Sequence, residues 1–96
     1  MSREEVLRTL KECEAEFRSH RVKSLALFGS VARDEARQDS DIDILVEFEG
    51  TATYDRYFRL KSLLEDRLNT QVDLVTRNGV RKELLPEVDG EAVYVT

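Results

Sequence analysis

At 96 residues the chain has room for one domain, 1–96, and a chain of this size buries roughly 60–70% of the surface that its unfolded form exposes, enough for a thin core. With 36% charged residues and a net charge of −5, the surface is well solvated and acidic, which excludes an extended nucleic-acid footprint, because phosphate backbones are met by basic faces. One cysteine and one histidine exclude an intrachain disulfide and the usual zinc sets, and the absence of a long apolar run or an apolar signal core predicts a cytoplasmic protein with no membrane partner.

Ser2 and Glu5 have the spacing of a capping box, which predicts a helix start. Val6, Leu10, Cys13 and Phe17 then trace one helical stripe, and this first helix should run to about Ser19 or His20. Val22 to Phe28 is short and apolar, as a buried strand requires, and Gly29-Ser30 closes it. Val31 to Ala36 is expected as a short helix, and Arg37 to Ser40 as a polar turn. From Asp41 to Phe48 the pattern alternates: Ile42, Ile44, Val46 and Phe48 take one face, Asp41, Asp43, Leu45 and Glu47 the other. Gly50 and Thr51 break this strand. A helix from about Thr53 to Leu68 follows, with Tyr57, Leu60, Leu64 and Leu68 inward and Asn69 as a left-handed C-terminal residue. Tyr54, Tyr57 and Phe58 read as core rather than as a base-stacking platform. Gln71 to Thr76 makes a third strand, a short helical stretch reaches Leu85 and stops at Pro86, and Ala92 to Val95 is a last strand at the sheet edge. The order predicts an α/β (α+β) domain: a mixed central sheet of about four strands flanked by helices.

The chemistry lies in Gly29-Ser30, Asp41-x-Asp43 and Asp73. Two residues along a strand span about 6.6 Å on one face, so Asp41 and Asp43 can converge on a divalent cation held between them. Asp73 has the same setting, a carboxylate on a strand whose other face is Val72 and Leu74. If the two strands are neighbours, all three carboxylates meet. Crowded carboxylates resist ionisation without a cation, and hard oxygen donors suit Mg²⁺, which takes one or two carboxylates plus substrate phosphates. Gly29 lets a phosphate approach the backbone, and Ser30 opens a helix whose amides favour an anion. Asp39, Asp41 and Asp43 imitate the start of an EF-hand, but the required glycine and glutamate positions hold Ile44 and Gly50, which excludes calcium in that mode. Walker and dinucleotide fingerprints are absent, and the lone His20 is a helix-end residue.

Gly29-Ser30-x-Ala32-Arg33 with Ser40-Asp41-x-Asp43 resembles the nucleotidyltransferase superfamily of DNA polymerase beta, kanamycin nucleotidyltransferase and the CCA-adding enzymes, and within it the minimal (MNT-domain) branch. The resemblance covers nearly the whole chain. It implies that Gly29, Ser30, Arg33 and Ser40 bind the nucleotide and that Asp41, Asp43 and Asp73 are the catalytic and metal-binding residues, around Mg²⁺ (two ions) and ATP. Members of this branch are commonly antitoxins paired with HEPN-domain ribonuclease toxins. The implied reaction is transfer of AMP from ATP to a toxin tyrosine. One departure is Asp34, where many relatives carry glycine. The competing expectations are a non-catalytic module that neutralises its partner by covering it and, third, an enzyme that modifies a small molecule. The apolar run Ala92 to Val95 is a candidate docking edge or an ordinary last strand.

Overall fold

A computed structural model describes residues 2–33 and 41–96. The Ser2 hydroxyl accepts from the Glu5 amide at 3.3 Å and starts helix α1, Arg3–Glu12. The first helix is not continuous. The chain leaves helical geometry at Cys13 and resumes as α2, Glu14–Ser19. The predicted stripe survives the break, because Val6, Leu10, Cys13 and Phe17 are all buried. Arg21 then turns the chain with a left-handed φ of 58°, and its carbonyl accepts from the Glu49 amide at 2.9 Å. No glycine announces this turn in the sequence. The strained backbone is tied down by partners distant in the chain.

Strand β1, Val22–Phe28, runs antiparallel to β2, Ile42–Phe48, with Leu25 opposite Val46 and Phe28 opposite Asp43. Between them lies the one-turn helix α3, Gly29–Ala32. Strand β3, Val72–Thr76, joins β2 in parallel after the crossover helix α4, Tyr54–Leu68. Two 3-10 turns, Arg77–Gly79 and Lys82–Leu84, lead into α5, Leu85–Glu91, and β4, Val93–Tyr94, closes the sheet against β1. The strand order is β3-β2-β1-β4, the mixed four-stranded sheet that the sequence predicts.

One face of the sheet carries Leu25, Leu27, Ile42, Ile44, Val46, Val72 and Leu74 into a single core with Val6, Leu10, Phe17, Leu60, Leu64 and Leu68 of the helices. Period-two alternation therefore sends Asp43 and Asp73 to the opposite face. That face is not bare, because Ala26 and Leu45 on it are also buried.

Thr53 caps α4 by accepting from the Arg56 amide at 3.2 Å, and Asn69 ends it at φ 54°. Thr53→Ala should cost about 1 kcal/mol, read as a lower urea midpoint with an unchanged m-value. Of the aromatic cluster only Tyr57 packs on the core, and its hydroxyl donates to the Leu74 carbonyl. Tyr54 and Phe58 are 84% and 54% exposed and stack on each other, so the expectation of core fails for these two. Pro86 also corrects the sequence reading. It sits in the first turn of α5 instead of stopping a helix, because that turn needs no amide hydrogen there.

Candidate active site

The acidic face converges at one end of the sheet. Asp43 is the second residue of β2 and pairs directly with Asp73, the second residue of β3, while Phe28 ends β1 on its other side. The parallel β2–β3 register therefore puts two carboxylates of distant sequence on adjacent strands. Asp41 lies immediately before β2, two residues ahead of Asp43, and is exposed. Asp73 is exposed as well, whereas Asp43 is half-buried.

Gly29 stands against Asp43. Its φ of +73° lies in the left-handed region, and a Cβ there would meet Asp43 Oδ2 at 2.2 Å, Cγ at 3.0 Å and Cβ at 3.2 Å. Glycine is required twice, by conformation and by space. The helix begins at Gly29, one residue before the expected Ser30, so Ser30 lies within its only turn and is half-buried. Arg33 caps that turn through its amide to the Gly29 carbonyl at 3.2 Å. Ser40 and Asp34, like the Ala36 end of the expected helix and the turn that should follow it, lie outside the described residues.

Two residues that sequence reasoning missed hold this turn. Arg3 Nη1 donates to the Ala32 carbonyl at 3.1 Å, and Arg33 Nη1 pairs with Glu91 Oε2 at 3.0 Å. The second contact spans 58 positions and carries no local signal.

Burial pushes the Asp43 carboxyl above the usual carboxylate range. The charge of Asp73, a hydrogen bond with it and the charge of Asp41 add to the effect, and Arg33 opposes it. A group whose pKa rises on folding stabilises the fold while protonated, and that contribution is lost as pH climbs from about 4 through the raised value. Asp43→Asn should therefore be more stable than the wild type at neutral pH without divalent cation. The difference should vanish below about pH 4, as measured by thermal unfolding across pH.

Among the described residues, no three acidic, histidine or cysteine side chains are arranged as a complete metal-ligand set. What is present is the close Asp43–Asp73 pair, with Asp41 within charge reach. A pair suits a cation that completes its shell with substrate phosphates.

The chain matches the model of the nucleotidyltransferase domain over residues 7–95. It belongs to that family. Among the relatives of this nucleotidyltransferase domain, a protein adenylyltransferase of Thermococcus cleftensis is 36% identical over 95 residues, covering 91% of this chain and 96% of the relative. A solved structure provisionally described as a minimal nucleotidyltransferase superposes with a TM-score of 0.85 at 40% identity, covering 97% of this chain and 95% of that one. At 22% identity the likeness shows the fold alone: a complex of a tri-AMPylated Shewanella oneidensis HEPN toxin with its MNT antitoxin gives a TM-score of 0.67, covering 94% of this chain and 71% of that one. The predicted fold class therefore holds for this nucleotidyltransferase domain, and no helix among its described residues is long and apolar enough to cross a membrane.

Proposed function

We propose that this nucleotidyltransferase domain transfers AMP from ATP to a tyrosine hydroxyl of a HEPN-type ribonuclease, and so acts as the antitoxin of that toxin. The observation that carries this reading is Asp43 facing Asp73 on adjacent strands, with Gly29 pressed against Asp43. The name of the Thermococcus relative supports the adenylyl group, and a MntA–HpeT toxin–antitoxin structure of the same fold, 25% identical with a TM-score of 0.65, supports a toxin as the acceptor.

The residues present fit magnesium. Asp43 bears a carboxyl that its acidic neighbours discourage from ionising, and a hard divalent cation relieves that repulsion. When bound, the ion supplies charge neutralisation on the phosphates and helps align an in-line displacement. Asp41, Asp43 and Asp73 would hold it. The backbone at Gly29 admits the phosphates, with Ser30, Arg33 and Ser40 as their contacts. The tyrosine oxygen forms a bond to the α-phosphorus as the bond to the β-phosphate oxygen breaks, and pyrophosphate leaves. Asp73, the more exposed of the facing pair, accepts the hydroxyl proton. Magnesium should raise the melting temperature of the wild type and leave Asp43→Asn almost unmoved, because the variant lacks the half-buried ligand.

The test is incubation of purified protein with labelled ATP, magnesium and the partner ribonuclease. Label should pass to the ribonuclease, and Asp41→Asn or Asp43→Asn should remove it while circular dichroism stays native. Label transfer by both variants would eliminate the proposed metal site. The incomplete ligand set among the described residues favours one second reading, neutralisation by complex formation alone. It predicts ribonuclease inhibition that survives replacement of all three aspartates, with no mass added to the ribonuclease.

A further inference from the structure

Helix α5 is tied to the end of β3 and to β4 by one polar cluster. Arg77, just after β3, donates to both carboxylate oxygens of Asp89, at 2.7 and 2.8 Å, and to the Tyr94 hydroxyl at 2.9 Å. The Tyr94 hydroxyl donates in turn to Asp89 Oδ1 at 3.1 Å. Tyr94 pairs across strands with Ala26, which is opposite Leu45, so its side chain stands on the same face as Asp43. The bidentate pair fixes Arg77 and Asp89 geometrically as well as electrostatically. Asp89 is thus an anchor in the middle of α5.

Two residues further on, Glu91 ends α5 and reaches the Arg33 guanidinium at 3.0 Å. The two side chains are 43% and 46% exposed. An exposed ion pair adds little to stability, so its consequence lies in where it puts the arginine. Arg33 sits directly after the Gly-Ser turn, and α3 and α5 pack against each other. An arginine side chain has many rotamers to lose, and restricting them before a ligand arrives lowers the entropic cost of binding.

We propose that Glu91 is a positioning residue for the nucleotide: it holds the Arg33 guanidinium after the Gly29-Ser30 turn, beside the acidic face where the triphosphate would lie, and the Arg77–Asp89–Tyr94 cluster holds Glu91 in place. This rests on the nucleotidyltransferase reading above and extends its site to the C-terminal helix.

The experiment measures equilibrium binding of a non-hydrolysable ATP analogue with magnesium, alongside steady-state transfer to the partner ribonuclease. Glu91→Ala should weaken binding about 3- to 10-fold and raise the KM for ATP in step, with a much smaller change in kcat. Glu91→Gln should fall between Glu91→Ala and the wild type, since its carbonyl still accepts from Arg33. Asp89→Asn should act in the same direction as Glu91→Ala. Arg33→Ala should weaken binding more, and the double variant Arg33→Ala/Glu91→Ala should bind no worse than Arg33→Ala alone. Wild-type affinity in Glu91→Ala, additive losses in the double variant, or a loss confined to kcat overturns the role of Glu91. A wild type that binds no nucleotide overturns the nucleotidyltransferase reading itself.

Discussion

Asp43→Asn should lower the rate of adenylyl transfer by about a thousandfold or more, while the domain folds as well as before or better. Of the three aspartates, Asp43 has the least exchangeable environment. It is flanked by Phe28 on β1 and Asp73 on β3, half-buried, and in contact with the Gly29 backbone. An amide keeps the shape and loses the charge, so the substitution separates chemistry from packing. The same change relieves repulsion from Asp73 and Asp41, which is why activity and stability should move in opposite directions. Rates measured with the partner ribonuclease, paired with thermal unfolding, read both. A variant that loses activity only because it melts earlier would not fit this account.

Gly29→Ala should reduce transfer at least about a hundredfold, and unlike Asp43→Asn it should also destabilise the domain, by about 1–2 kcal/mol from the left-handed backbone alone. The new methyl carbon would lie 2.2 Å from Asp43 Oδ2. Rotation of the carboxylate could clear that contact, yet the Asp43 Cβ at 3.2 Å stays close whatever the rotamer. Turning the carboxylate aside removes it from Asp73, and shifting the backbone disturbs the β1–β2 register that places it. Either response spoils the site. Urea denaturation and transfer kinetics on the same preparation check both halves, and full activity in Gly29→Ala would mean that the turn does not meet the nucleotide.

How far the sequence carries depends on whether the controlling force is local. Caps and period are local, so Ser2, Asn69 and the alternation from Ile42 to Phe48 are legible, and Thr53 is legible as the approximate start of its helix. The meeting of Asp43 with Asp73 was legible only as a condition, because it needs β2 and β3 to be parallel neighbours in one particular register. Alternation gives each strand a face and says nothing of its partner. The break at Cys13 was hidden because the buried stripe continues through it with unchanged spacing. Pro86 was misread because the same ring that ends one helix is welcome in the first turn of the next, and only the chain after it decides. Residue type points Tyr54 and Phe58 to the core, whereas the angular position of Tyr57 on α4 decides which of the three faces inward. Arg33–Glu91 and Arg77–Asp89–Tyr94 join residues that only the folded chain brings together, and charged side chains in a sequence this rich in charge give no hint of their partners.

Co-expression of the protein with its partner ribonuclease, followed by intact-mass measurement of that ribonuclease, decides whether silencing proceeds by adenylyl transfer. With the wild type, the ribonuclease should gain the mass of one or more adenylyl groups and lose RNA cleavage. With Asp41→Asn/Asp43→Asn it should keep its unmodified mass and its activity. An unmodified ribonuclease that is nevertheless silenced by both forms would contradict catalysis at the Asp43–Asp73 face.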